Sequence, residues 1–506
     1  MLFPTIRFAI FFALVLPASW LLMPRPVRWR VFMIAASFAF YAAWDWGYTL
    51  LLAASIVVNQ ICSVVIDKAV DDKARNRRTA VAVALNLGGL GWYKYAEFLS
   101  DSGNSLLDTL GLDWNLPVPN ILLPVGISFF TFQALSYVID VRRRKVHPVR
   151  FLDFAVYLSF FPHLVAGPIV RAAEFLPQLR HRRDPRRVQA GLAFWLIGAG
   201  LFKKVVVASY LADRTVDPLF AFPQQHGGIE ALFGVYAYAI QIYADFSGYT
   251  DMAIGLALLL GFRFPQNFDA PYTAASLQEF WRRWHMTLSR WLRDYLYVPL
   301  GGNRGGRLLT YRNLMLTMLL GGLWHGAAWT FVLWGCLHGA GLSAERWVDE
   351  RRQRRRVPAH AAVDDAGAAG AAPIAVGGEP PVLAPPAPPA PRPDRPAGVV
   401  WIRRLMTFHL VCLAWIFFRS DTLGGAFDVI GRIAGGEASQ PLNPVVVLVV
   451  VAMLASQFVP TGVVGRMRAV FSSWSLRAQV AAMAACLVAV DVLGPAGVDP
   501  FIYFQF

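Results

Sequence analysis

Cysteine is scarce in this chain, with four in 506 residues, and none of them shows the paired spacing of a metal site. Cys62, Cys336, Cys412 and Cys486 each stand alone in an apolar run. Neither a disulfide framework nor a zinc site is expected, and no other metal set is apparent. Charge is also sparse, at 16% of residues, and acid is the scarcer sign, with 32 Asp and Glu against 47 Lys and Arg. The resulting net charge of +15 raises the question of nucleic acid, but the bases sit in short loops between apolar runs, where they orient a chain in a bilayer. No nucleic-acid partner is expected. The first apolar run has no small-residue cleavage site after it, so it reads as a retained helix rather than a signal peptide.

What the chain has in abundance is apolar side chain, at 56% of residues with a mean hydropathy of +0.45. It comes in runs near the roughly 20 residues that a spanning helix needs. Such runs fall at about 5–23, 29–46, 48–66 and 79–99. Arg25, Arg28 and Arg30 mark the first loop as cytoplasmic, as Lys68, Lys73, Arg75, Arg77 and Arg78 mark the third. The connection at 100–120 carries Asp101, Asp108 and Asp113 with no base, which suits the far side, and a helix at 121–140 returns to Arg142, Arg143, Arg144 and Lys145. The run 151–170 has bases at both ends and holds Pro162, His163, Gly167 and Pro168. One crossing cannot satisfy both flanks, so this run reads as re-entrant or interfacial.

Helices follow near 189–210 and 229–246. The second ends in a polar cluster that includes Asp245, Ser247 and Asp251, residues that either line a pocket or cap the next apolar helix from Met252. From 277 to 296, Leu277, Phe280, Trp284, Leu288, Trp291 and Tyr295 recur at three- and four-residue steps with Arg282, Arg283, Arg290 and Arg293 between them. That pattern predicts one amphipathic helix at the cytoplasmic interface, with His285 beside its apolar stripe as a surface residue or a functional one. The run 314–342 again has bases on both flanks, so it enters and returns, with Gly321 and Gly322 near the bend. His325 is thereby placed within the membrane, where an ionisable group points to function unless a neighbouring carbonyl merely satisfies it. Residues 351–400 are rich in Ala, Pro and Gly and read as a disordered cytoplasmic linker between a core at 1–350 and its completion at 401–506. Spans at about 401–418, 443–460 and 478–493 complete that core, and the aromatic tail 501–506 follows Gly494, Pro495, Gly497 and Pro500.

Several stretches in order then carry a resemblance: LPVGISFFTFQ at 123–133, FPHLVAGP at 161–168, YADFSGYTD at 243–251, FWRRWH at 280–285, LWHG at 323–326 and FIYFQF at 501–506. Together they resemble the membrane-bound O-acyltransferase (MBOAT) family, in its bacterial branch that O-acetylates exported polysaccharides such as alginate. The resemblance covers about 1–350 and 401–506, with only the linker departing from the pattern. It implies an all-α polytopic fold in the cell inner membrane: a ring of about eleven transmembrane helices, with re-entrant and interfacial pieces, around a central tunnel. It implies an acetyl-CoA donor from the cytoplasm, a polysaccharide acceptor, and an extracytoplasmic SGNH or Ser-type acetyltransferase as partner. The family's two histidines correspond to His325 and His285, and Trp324, Asp245 and Ser247 are expected to contact substrate.

The terminal pattern resembles an acyl-carrying motif of envelope acylation systems, which makes Tyr503 a candidate nucleophile. On composition alone the tail is an interfacial aromatic anchor. The general chemistry fits the resemblance, because an imidazole can take a hydroxyl proton and return it to a thiolate, and a protein-lined tunnel keeps water from the thioester. Two other classes compete with this reading. A transporter or proton channel also uses broken helices and a midplane His, although no repeat relates the two halves here. A membrane scaffold recruiting a soluble acetylase is the third.

Overall fold

The computed structural model describes residues 1–356 and 396–493, apart from positions 182, 437 and 439. The expected linker therefore falls largely outside the described residues, as does the tail with Tyr503. Every regular element among the described residues is helical. Helices α1 (Ile6–Leu22), α2 (Pro26–Ala42), α3 (Gly47–Asp67) and α4 (Asp72–Thr109) match the first four apolar runs. Their starts are chemically marked: the Thr5 hydroxyl accepts from the Phe8 amide, Pro26 occupies the first turn of α2, and the Asp71 carboxylate accepts from Ala74. Helix α4 runs through Asp101 and Asp108 to Thr109, so the first half of the connection expected at 100–120 is helix instead. Helix α5 (Ile127–Arg142) starts later than expected, at Gly126 in the left-handed conformation.

The run 151–170 is irregular, as its flanks implied. It forms α6 (Phe151–Ser159) and a single turn, α7 (Phe161–Leu164), before extended chain leads to α8 (Ala172–Arg180). From Phe154 to Val170 every residue is buried, so other protein covers this irregular backbone. Helix α9 (Ala190–Ala221) is apolar and 32 residues long, with π-helical stretches at Phe202–Ala208 and Ala212–Val216. Helix α10 (Gly228–Leu259) is also 32 residues long and unbroken. The cluster around Asp245 therefore lies in mid-helix, and the expected helix end there is corrected. The reason is that α9 supplies partners for its polar groups, so no break is needed to reach them. Gly200 and Gly248 let the two backbones touch, since a side chain on Gly200 would meet the Gly248 carbonyl oxygen at 2.5 Å.

The single amphipathic helix expected at 277–296 is corrected too. It is split into α11 (Leu277–Arg283) and α12 (Met286–Leu292), with a π-turn at Arg293–Tyr297. Trp284 and His285 lie at the break, both fully buried. The basic flanks of 314–342 read correctly as a hairpin: α13 (Arg307–His325) and α14 (Trp329–Arg356) pack along one another, and the turn falls at 326–328, just past the paired glycines. Helix α15 (Ala397–Arg419) is followed by an unexpected α16 (Leu423–Gly435). The expected span at 443–460 ends early: α17 (Pro444–Ser456) bends by 97° into α18 (Thr461–Ser473), and α19 (Leu476–Leu493) follows. Among the described residues three helices, α3, α9 and α15, are long and apolar enough to cross a membrane, or four if the bent pair counts as one span. The polytopic all-helical class stands on this; length and apolarity alone do not decide the count of eleven, because several helices are short, broken or interrupted by buried polar groups.

The tip of the α13/α14 hairpin depends on close backbone approach, for a side chain at Gly322 would meet the Phe331 carbonyl oxygen at 2.3 Å and the Gly335 Cα at 3.3 Å. Gly322→Val is accordingly expected to destabilise the fold by about 1–3 kcal/mol through overpacking, read as a lower thermal midpoint in detergent. Gly465→Ala, where an added methyl meets nothing within 4 Å, is the control expected to leave the midpoint unchanged.

Candidate functional site

His325 is the last residue of α13, and its side chain is buried where the hairpin turns. The carbonyls of the last turn of a helix have no partners within it, and inside a membrane protein water cannot supply them. Here α4 does. Lys94 Nζ donates to the carbonyl oxygens of Trp324 (2.5 Å) and His325 (2.9 Å), and the Tyr95 hydroxyl donates to that of Leu323 (2.7 Å). The Lys94 amino group thus supplies donors to helix-end carbonyls that would otherwise lack them. The His325 ring lies edge-on to Trp324 and Trp334, with centroids 5.0 Å away in each case, and 5.2 Å from Phe418 of α15. Three helices thus fix the imidazole, and a fourth fixes its backbone.

His285 is brought to the same place. It sits between α11 and α12 in a left-handed conformation, φ 41°, with no exposed surface. The surface-residue reading is thereby corrected. The break turns the ring inward, where it lies 4.6 Å from Phe246 and 6.0 Å from Trp324. Trp324, expected as a substrate contact, is therefore the ring shared by both histidines. A third buried imidazole, His338 on α14, lies 4.7 Å from Trp334 and accepts from Trp281 Nε1 at 3.3 Å. Neither His338 nor Lys94 stood out in the sequence. A lone Lys in the apolar run at 79–99 was the available signal for Lys94.

An aromatic column leads away from this centre. Phe132 lies 5.3 Å from Trp324 and stacks on Trp291 at 3.8 Å, and Trp291 lies 5.2 Å from Tyr295. At Tyr295 the surroundings become charged: the guanidinium carbons of Arg143 and Arg171 each lie 5.2 Å from its ring. Arg171 pairs with Asp294 at 2.8 Å, Arg290 approaches Glu174 at 3.6 Å, and the Tyr295 hydroxyl donates to Asp140 at 2.7 Å. Arg293 also pairs with Asp294, at 2.7 Å, so the column joins the histidine centre to a cluster of four arginines and three carboxylates.

Asp245 and Ser247 are placed otherwise. Asp245 forms a buried ion pair with Lys204 of α9. The Ser247 hydroxyl accepts from Lys203 Nζ at 2.9 Å, and Lys203 also pairs with Asp251 at 2.6 Å. The π-helical stretch, with its wider turn, allows two consecutive lysines to face the same neighbour. These contacts hold α9 to α10, and through the neighbouring Phe246 they set the wall against His285.

Apolar helices closing over paired imidazoles, with a basic cluster at the end of an aromatic column, define an integral membrane protein built around an internal histidine centre. The MBOAT family model, described as the membrane-bound O-acyltransferase family, matches residues 38–375, and the chain belongs to that family. It is 46% identical over 325 residues to the probable alginate O-acetylase of Azotobacter vinelandii, covering 63% of this chain and 64% of that protein. It is 40% identical over 400 residues to the probable alginate O-acetylase of Pseudomonas aeruginosa, covering 78% and 68%. To the peptidoglycan O-acetyltransferase of Helicobacter pylori it is 34% identical over 444 residues, covering 81% and 74%. The chain thus matches about two thirds to three quarters of the length of these relatives.

Removing one partner of a buried ion pair strands the other, at a cost of about 3–5 kcal/mol. Lys204→Met is therefore expected to lower the thermal midpoint sharply, and Lys204→Met with Asp245→Leu to recover much of it. A double variant no more stable than the single one would contradict the pairing.

Proposed function

We propose that this chain is an inner-membrane O-acetyltransferase that takes acetyl groups from cytoplasmic acetyl-CoA and passes them outward for O-acetylation of an exported, alginate-like polysaccharide. The observation that carries this reading is the placement of His325, a buried imidazole at the tip of a helix hairpin whose terminal carbonyls are held by Lys94. The family membership and the O-acetylases among its relatives support it.

In the reaction the acceptor O–H gives its proton to the His325 ring as its oxygen bonds to the acetyl carbon. The carbon–sulfur bond breaks, and the departing CoA thiolate takes the proton back from the imidazolium. Water must be kept from the thioester while this happens, and the ring of Trp324, Trp334 and Phe418 around His325 supplies an apolar enclosure. The basic cluster of Arg143, Arg171 and Arg290 suits the phosphates of the donor, and the column from Tyr295 to Trp324 joins it to the imidazole. On the outer side the acyl acceptor is the Tyr503 hydroxyl, which hands the acetyl group to an extracytoplasmic Ser-type transferase and thence to the sugar.

The experiment uses purified protein in liposomes with labelled acetyl-CoA, and release of free CoA is followed. Wild type is expected to release CoA, and His325→Ala to release none while remaining monodisperse. Lys94→Met, which loosens the backbone of His325, is expected to lose on the order of 10- to 100-fold in rate. Tyr503→Phe keeps the ring but not the nucleophile and is expected to stop transfer to the polymer. No CoA release by wild type would overturn the enzymatic reading, and normal polymer acetylation by Tyr503→Phe would overturn the relay.

A further inference from the structure

Asn267 is fully buried in the extended chain between α10 and α11, and its side-chain oxygen sits at a convergence of donors. The Thr287 amide approaches it at 3.1 Å, the Thr287 hydroxyl at 2.9 Å and His285 Nδ1 at 3.2 Å. The identity of that atom follows from chemistry: a backbone N–H can only donate, so the carboxamide atom facing it is the oxygen. The Thr287 hydroxyl already accepts from the Ile169 amide at 3.0 Å, which leaves its proton for Asn267. A bare Nδ1 lone pair would face the same oxygen as one acceptor facing another, so Nδ1 of His285 carries the proton. In the neutral ring the lone pair then resides on Nε2.

Nε2 is buried and has no protein partner. Phe246 lies 4.6 Å and Trp324 6.0 Å from the ring, and the His325 imidazole lies against the same Trp324. A buried acceptor of this kind is costly unless something donates to it. The left-handed backbone at His285, φ 41°, is a further sign that the ring is held where it is at some expense. The Met286 amide bonded to the Asn267 carbonyl at 2.9 Å helps to hold it.

We propose that Asn267 is a positioning residue that locks His285 in the Nδ1–H tautomer, so that Nε2 accepts a hydrogen bond from the amide N–H of the acyl thioester's arm. This rests on the acyl-transfer reading and assigns the second histidine its atom and its ligand chemistry. The acceptor's hydroxyl has one proton, and that goes to His325, so the N–H bound by Nε2 belongs to the donor. Pantetheine thioesters carry an amide N–H a few atoms from sulfur. The position agrees with this, because Arg293, next to the basic cluster, is eight residues beyond His285, about 12 Å along the near-continuous helical path.

The test compares S-acetyl-N-acetylcysteamine, which has the amide N–H, with S-propyl thioacetate, which lacks it, as donors to purified protein. Wild type is expected to favour the amide-bearing thioester by about tenfold or more in kcat/KM. Asn267→Leu, nearly isosteric but without an acceptor, is expected to lose that preference. Asn267→Asp keeps an oxygen towards Nδ1 and gives up only an Nδ2 that has no protein partner, so it is expected to retain the preference. A merely structural role would lower stability without altering the ratio of the two donors, and an unchanged ratio in Asn267→Leu would overturn the proposal.

An independent readout is the 15N spectrum of histidine-labelled protein, with His285→Gln used to assign the signal. An unprotonated Nε2 is expected in wild type and a mixture of tautomers in Asn267→Leu, whereas a protonated Nε2 in wild type would overturn the proposal whatever the activity. Failure of wild type to use any acetyl thioester would instead count against the acyl-transfer reading and leave the spectrum to decide the tautomer.

Discussion

The bond from the Lys94 amino group to the carbonyls of Trp324 and His325 is the contact on which the centre depends. A helix that ends inside a membrane protein leaves carbonyls that neither water nor its own backbone can satisfy. Meeting them with a hydrogen-bonding side chain from α4 lets α13 stop at His325, within the protein. The hairpin can then turn at 326–328 and return as α14, carrying Trp334 and His338 back past the imidazole. The shape of the site follows from closing one helix end.

The same economy governs the other polar groups. Lysines 203 and 204, the Asp245 and Asp251 carboxylates and the Ser247 hydroxyl are consumed between α9 and α10, where Gly200 and Gly248 bring the backbones into contact. Around His285 the Ile169 amide, the Thr287 amide and hydroxyl and the Asn267 side-chain oxygen are joined, while Asn267 Nδ2 and His285 Nε2 are left without a protein partner. Buried polar groups in an apolar fold are expensive alone and rigid when matched. Matched here, they hold Trp324 between the two imidazoles and Phe246 against the second.

How far the sequence anticipates this varies with the range of the interactions. His325 was legible because an imidazole inside an apolar run, with bases on both flanks, constrains the path of the chain within a few residues. The irregular 151–170 segment was legible for the same reason. The break at His285 was not, because the spacing of Leu277, Phe280, Trp284, Leu288 and Trp291 satisfies a single helix, and interspersed arginines read as a wet face. In the structure Arg283 donates to the Asp269 carbonyl at 3.3 Å and Arg290 approaches Glu174 at 3.6 Å, so part of that face meets protein. Lys94 reaches carbonyls more than 200 residues away, and Asn267 acts through the network it completes. Lys94 shows locally only as a lone Lys in an apolar run, and Asn267 leaves no local pattern. Asp245 and Ser247 were visible as polar residues at depth, but their partners on α9 were hidden in an apolar run.

The central claim is that acyl transfer takes place at His325 with the donor's arm lying against His285. A structure of the protein bound to a non-transferable acetyl-CoA analogue tests it most directly. The acetyl carbon is expected beside the His325 ring, with an acceptor oxygen able to approach it to about 3–3.5 Å and a pantetheine amide within hydrogen-bond distance of His285 Nε2. An analogue bound with its acetyl group away from both imidazoles would contradict it.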